Sequence, residues 1–322
     1  VKQETNALAL ARQWLVDNSS LIGVLVLIAA VCLVGALTTD RFFGCNNFLN
    51  VYEQSTDLAL VSIGQTLTIL TGGIDLSVGS LISLTSCLAS GLINGDPDRV
   101  LPVAALVLAL GTCVGLLNAA LVIGLRVHPL IVTLGMGAVL QGVTLLYAMG
   151  PVGKVPPNFN FLAYGRIADL PLGATIAAML CILVALLLRY LPLGRQIYAV
   201  GDDDNAARLT GLPRTRVLMF VYGCSGFGCA ATGLYLVARF GVGQPYTGVN
   251  YTLASITPVI LGGTALSGGK GGVIGTLLGV YLISLVSNLL NFMDVSKHYQ
   301  LVAQALIIIL AVSVYVNRRR AV

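Results

Sequence analysis

The sequence predicts an all-α polytopic membrane protein, and three observations predict it. Hydrophobic residues make up 57% of the chain and charged residues 10%, the mean hydropathy is +0.90, and long apolar runs recur between short polar breaks. So little polar surface cannot cover a soluble domain, and runs of this length match the hydrocarbon core of a bilayer. The net charge of +5 does not point to nucleic acid, because the basic residues are divided among loops. The seven cysteines (Cys32, Cys45, Cys87, Cys113, Cys181, Cys224, Cys229) form no C-x-x-C pair and no metal-ligand spacing, and read as small packing residues.

Taken in order, Val1–Asn18 is a polar tail, and Ser19–Thr39 is a first span that stays as an anchor, being too long for a signal-peptide core and lacking a cleavage site. Asp40–Thr56 reads as an external loop, and Asp57–Thr71 as the apolar part of a second span. At about 1.5 Å per residue that part falls short of a core roughly 30 Å thick, so its helix either starts earlier or ends inside the membrane. Leu76–Ile93, Val100–Leu125 and Pro129–Met149 follow as spans, with His128 read as a capping or solvated residue in preference to a proton relay. Gly150–Leu172 is an external loop with room for a short interfacial helix, its aromatics suited to the membrane interface. Gly173–Tyr190, Val217–Ala238, Tyr251–Leu266, Val273–Phe292 and Gln300–Val316 complete a predicted set of about ten spans. The repeat halves cover roughly 19–149 and 173–316 of a single 1–322 domain. With both termini inside, Lys2, Arg12, Arg126, Arg189, Arg195, Arg208, Arg214, Arg216, Lys270, Arg318, Arg319 and Arg320 are cytoplasmic, and Arg41, Arg99, Lys154, Arg166, Arg239 and Lys297 are external. That distribution obeys the positive-inside rule.

Function is centred on Thr71-Gly72-Gly73-Ile74-Asp75-Leu76-Ser77-Val78-Gly79-Ser80, a polar turn between two apolar runs. In hydrocarbon every backbone polar group needs an internal partner, so a Gly-Gly break carrying a carboxylate must lie inside protein or line a wet path. Ser267-Gly268-Gly269-Lys270-Gly271-Gly272-Val273-Ile274-Gly275-Thr276 repeats the pattern, with Gly79 against Gly275, Ser80 against Thr276 and Ile63–Thr71 laid on Val259–Ser267. An odd number of spans separates the two, so the halves run in opposite directions. Paired glycine-interrupted segments in inverted repeats mark a translocation path. Candidate path or gate residues are Gly72, Gly73, Asp75, Ser77, Gly79, Asn118, Thr133, Gly262, Gly263, Ser267, Gly268 and Gly269. The competing reading, close helix packing through small residues, fits Gly111, Gly115, Gly226, Gly275 and Gly279. Asp75 suits an N-cap for the third span, and as part of a gate it would exchange partners during the cycle.

In the hydrophilic segment 191–216, Asp202, Asp203 and Asp204 supply a cap and negative charge for a short helix that contains Asn205, Ala206, Ala207, Arg208 and Leu209. Gly211 stops it and Pro213 prevents its return. A short helix with such complete end signals suits docking against another protein.

Three motifs carry a family resemblance: Gly72–Ser80, Ile260–Gly269, and Gly194–Gly201 with Ala206–Gly211. Together they resemble the monosaccharide (ribose-type) branch of the ABC importer permeases, within the branched-chain amino acid and ribose permease superfamily. The resemblance implies a type II ABC importer-like fold in a bacterial inner membrane, working as a homodimer with a periplasmic sugar-binding protein and a cytoplasmic ATPase that holds ATP and Mg. It makes 201–211 the coupling helix seated on that ATPase, with Ala206 and Ala207 allowing close approach and Arg208 an ionic contact. Two departures stand out. Thr252-Leu253-Ala254-Ser255-Ile256-Thr257-Pro258 replaces an acidic run, which bears on the sugar, and Gly201-Asp202-Asp203 replaces Gly-Gly-Asn, which bears on the ATPase fit.

The chain itself carries no phosphate loop, since Gly262–Lys270 continues into glycine, and no H-E-x-x-H or G-x-S-x-G motif, so ATP hydrolysis belongs to another subunit and no cofactor is expected here. The alternatives are an ABC permease for nucleosides, sugar-like signalling molecules or branched-chain amino acids, and, in different classes, an ion-coupled secondary sugar transporter or an intramembrane enzyme. A symporter needs ionisable groups within its spans, whereas Asp57 and Asp75 lie at span ends.

Overall fold

The computed structural model describes residues 19–296, 298–300, 302, 305 and 306. The polar tail 1–18 and most of the predicted last span, 300–316, lie outside the described residues. Among the described residues six helices are long and apolar enough to cross a membrane: α1 (Ser19–Thr38), α5 (Val100–Leu125), α6 (Pro129–Tyr147), α8 (Leu172–Tyr190), α11 (Arg214–Phe240) and α14 (Val273–Phe292). Shorter apolar helices are α3 (Thr56–Leu70), α4 (Val78–Ile93) and the pair α12 (Tyr251–Ala254) and α13 (Ile256–Leu261).

Helix α11 is the axis of the molecule. Its most apolar stretch is 72% buried inside the protein, against 11% for α1, so protein surrounds the first and covers little of the second among the described residues. The small residues of α11 make this possible, because a side chain at Gly226 would strike the Gly111 carbonyl and one at Gly115 the Tyr222 carbonyl. Helices α5 and α11 therefore touch backbone to backbone, the packing reading of those glycines. Helix α3 crosses on another side, where a Cβ at Gly64 would come within 2.8 Å of the Ser225 Cα. All fifteen residues of α3 are buried. A helix of about 22 Å cannot span the bilayer alone, but wrapped in protein it has no need to.

The predicted external loop Asp40–Thr56 is in fact largely helical. Helix α2 (Cys45–Gln54) joins α3 through a break at Ser55, so the second span both starts earlier and is interrupted. Polar composition disguised α2, yet Asn47 and Val51 sit four residues apart on one buried face. There Asn47 and Asn288 of α14 exchange amide hydrogen bonds of 3.0 and 2.9 Å. The predicted span Tyr251–Leu266 also changes, because α12 and α13 break at Ser255 and end at Leu261. The segment 150–172, predicted to be an external loop, holds the short helix α7 (Phe161–Tyr164) and a two-residue hairpin, β1 (Arg166–Ile167) with β2 (Leu170–Pro171). Among the described residues the cysteines are free thiols.

The register of the proposed repeat shifts. Helix α3 ends with Gly73 N–H donating to the Thr68 carbonyl and Gly72 to that of Ile69, at 3.0 and 2.9 Å, with Gly72 at φ 77°. Helix α13 ends alike, Thr264 donating to Val259 and Gly263 to Ile260 at 3.1 and 2.9 Å, with Gly263 at φ 89°. This Schellman closure needs a left-handed residue, which glycine supplies without strain. By closure geometry Gly72 matches Gly263, whereas the offset of Ile63–Thr71 onto Val259–Ser267 sets helical residues against the turn that follows Leu261. The second turn is longer, carrying Gly268–Gly272 before α14 begins at Val273.

Candidate functional site

Two clusters form around the turn that follows α3. In the first, the Asp75 carboxylate is buried and receives three hydrogen bonds: Oδ1 accepts the Ser77 N–H at 3.0 Å and the Ser77 hydroxyl at 2.6 Å, and Oδ2 accepts the Ser225 hydroxyl of α11 at 2.9 Å. Asn118 of α5 donates to the Ser77 hydroxyl at 2.9 Å. Thr133 of α6 accepts the Leu76 N–H and donates to the Ile74 carbonyl, both at 3.0 Å. Three helices, α5, α6 and α11, thus hold residues 74–77. Asp75 is not the N-cap of α4, which begins at Val78 with Ser77 at the cap. It sits too early to reach the helix amides and closes the turn instead.

No cation pairs with Asp75 among the described salt bridges, so hydroxyl and amide donors alone offset the cost of burying it. The Tyr222 hydroxyl and the Asn118 carbonyl oxygen are buried beside it without a hydrogen-bond partner among the described residues. Replacing Asp75 by leucine strands the Ser77 and Ser225 donors and is expected to cost about 3 kcal/mol, read as loss of extractable folded protein. Asp75→Asn keeps an acceptor for Ser77, so it is expected to fold normally while uptake falls. Wild-type uptake in Asp75→Asn would reduce Asp75 to a turn-former.

The second cluster is a glycine junction. Gly269 N–H donates to the Leu70 carbonyl at the end of α3, at 3.0 Å. A Cβ on Gly268 would meet the Gly201 carbonyl at 2.6 Å and the Gly72 amide at 2.8 Å, and one on Gly269 would meet the Asp202 Cα at 2.9 Å. The Ser267 carbonyl lies beside Gly72. Gly201 and Asp202 end helix α9 (Pro192–Asp202), whose Tyr198 donates to the Gly271 carbonyl at 2.8 Å. Burial raises the Tyr198 hydroxyl above its ordinary range, which keeps it a donor. Three separately predicted segments, 72–73, 267–269 and 201–202, thus meet at one place.

Helix α10 (Asp204–Leu209) follows directly. Asp203 caps it, accepting the Asn205 and Ala206 amides at 2.9 and 3.0 Å, and Asp204 pairs with Arg208 at 2.9 Å and with Arg214 at the start of α11. Ala207 faces inward at 3% exposure, packed with the apolar residues of α3 and α9, whereas Leu209 is 89% exposed. The surface that α10 offers is therefore Asn205, Ala206, Arg208 and Leu209, without Ala207. Gly79 and Gly262 lie outside both clusters: the first packs on the 248–252 segment and the second on Gly275 of α14. Sequence reasoning missed Ser225, Tyr222 and Tyr198, single polar residues whose neighbours lie on distant segments. His128 accepts the Leu130 N–H at 3.3 Å and is a cap, as its place beside proline suggests.

The structure thus joins buried, glycine-broken turns to an exposed short helix among membrane-length helices. Residues 47–312 match the family model described as the branched-chain amino acid transport system, permease component, and the chain belongs to that family. Among curated proteins it is 38% identical to the ribose import permease protein RbsC of Escherichia coli (strain K12) over 308 residues, 94% of each chain. It is 31% identical to the D-allose transport system permease protein AlsC of the same strain, over 89% of each chain. With the fructose import permease protein FrcC of Rhizobium meliloti it shares 30% identity, over 94% of this chain and 87% of the relative. No solved structure matches the chain.

Proposed function

We propose that this chain is the membrane permease subunit of an ATP-driven importer, passing a monosaccharide from a periplasmic binding protein into the cytoplasm. The observation that carries the reading is the glycine junction, where both Gly-Gly turns close on the helix that leads into α10. A push on α10 reaches the turns through backbone contact, with no flexible side chain between. The relatives' names favour a sugar as cargo, and their permease role supports an ATPase partner that carries ATP and Mg. In this reading two copies of the chain form the pore in the inner membrane, with about ten spans each in two inverted halves and both termini cytoplasmic.

The central test is uptake by proteoliposomes holding the permease, its ATPase and its binding protein. Uptake of a labelled monosaccharide is expected to require ATP and to survive a protonophore. Uptake that collapses with the proton gradient and ignores ATP would favour the ion-coupled transporter. Orientation is tested separately. A reporter active only in the cytoplasm is expected to work after Asp203 and to fail after Phe161, and the opposite result would invert the topology.

A further inference from the structure

Near the outer ends of α2 and α11, a cleft of about 940 Å³ opens between the α12–α13 segment and α14, at the upper end of small-molecule sites. Among the described residues, no candidate path residue lines it and no Asp, Glu, Lys, Arg or His does either. Its polar groups are neutral. Gln54 and Asn250 offer side-chain amides with no partner among the described residues, and Asn291 offers an amide that already accepts from Gln300 at 2.7 Å. Phe240 and Tyr246 contribute aromatic rings, 55% and 60% exposed. Tyr251 forms a wall held in place, its hydroxyl donating at 2.9 Å to Asp57, whose same oxygen pairs with Arg239 of α11 at 3.2 Å.

We propose that this cleft is a cargo subsite for an uncharged polyhydroxylated solute. The proposal rests on the permease reading and deepens it. Free amides exchange hydrogen bonds with hydroxyl groups, while aromatic faces cover the C–H faces of a sugar ring. Among the described lining residues a zwitterionic amino acid meets no opposite charge to offset its desolvation, and Asp57 and Arg239 behind Tyr251 already pair with each other, so this lining disfavours that cargo within a family described by amino acid transport. The cleft also touches the machinery. Tyr251, Asp57 and Arg239 tie it to the outer end of α11, and Arg214 at the inner end of that helix pairs with Asp204 of α10.

The test uses proteoliposomes with the permease, its ATPase and its binding protein, offered labelled D-ribose, D-allose and D-fructose. Two variants are compared with wild type: Gln54→Leu with Asn250→Leu, which removes both free amides, and Ala254→Phe, which fills the cleft. Sugar taken up per ATP hydrolysed is expected to fall about tenfold in each, while loaded binding protein still stimulates hydrolysis. Unchanged uptake per ATP in both variants overturns the proposal, and so does a parallel loss of uptake and stimulation, which would make the cleft a docking surface. Should the double variant fail to assemble, Asn250→Leu alone, at an exposed position, decides the matter by the same ratio. A wild-type assembly that takes up none of the three sugars would instead overturn the permease reading, and the cleft proposal with it.

Discussion

Leu209→Glu is expected to abolish both sugar uptake and copurification of the ATPase while the permease remains inserted and extractable. Leu209 ends α10, is 89% exposed and contributes nothing to the chain's own core. A large apolar side chain held out on a capped helix is what a docking contact needs, since burying a leucine contributes about 2 kcal/mol and a carboxylate in its place costs more. A loss of about a hundredfold in affinity follows, enough to dissociate the complex during purification. Arg208→Ala is the contrasting variant. Its guanidinium pairs with Asp204 at a solvated surface, so its removal is expected to change copurification less than about threefold. Normal copurification in Leu209→Glu would remove α10 from the interface. Ala207→Glu is a poorer probe, because its carboxylate would enter the permease's own core and misfold α10 whether or not an ATPase binds there.

The difference between Ala207 and Leu209 shows where sequence reasoning stops. Cap, stop and charge signals around residues 202–213 place a helix, because they act on neighbouring backbone groups. Which face of that helix turns inward depends on α3 and α9, more than a hundred residues away for α3, and no local signal records it. The same limit hid α2. Its asparagines read as loop composition until Asn288 is seen to pair with Asn47 across 241 residues. Long uniform runs such as Val100–Leu125 were legible because length and hydropathy decide them. The Gly-Gly turns were legible as breaks, and the meeting of 72–73 with 201–202 and 267–269 was not. The register error has a physical cause as well. Matching letters aligned Gly72 with Gly268, whereas a helix closes at the left-handed residue four positions after Thr68 or Val259, just before the amide that bonds their carbonyls, and those closures lie on Gly72–Gly73 and Gly263–Thr264.

Gly201→Ala is expected to leave the ATPase bound and uptake lost, separating force transmission from docking. Gly201 is buried one residue from the end of α9, and a methyl there would overlap the Leu70 carbonyl oxygen and lie 2.7 Å from the Gly269 nitrogen. Those two atoms are the acceptor and donor of the bond that joins the turn after α3 to the turn before α14. Backbone atoms on both sides leave the methyl no flexible neighbour to displace, so α9 must move away and the junction must open. The main core, where α3, α4 and α5 pack on α11, lies elsewhere, so insertion and extraction yield are expected to stay near wild type. The exposed face of α10 is untouched, so copurification is expected to persist. Stimulation of ATP hydrolysis by loaded binding protein, which needs the signal to cross the junction, is expected to disappear together with uptake. Gly211→Ala serves as the control. Gly211 closes α10 at φ 74° with open space around the missing Cβ, so alanine there costs about 1 kcal/mol of local strain and is expected to lower uptake only modestly. If Gly201→Ala transports like wild type while the junction carries the extra methyl, backbone contact at 201 is not the route by which the docking helix moves the turns.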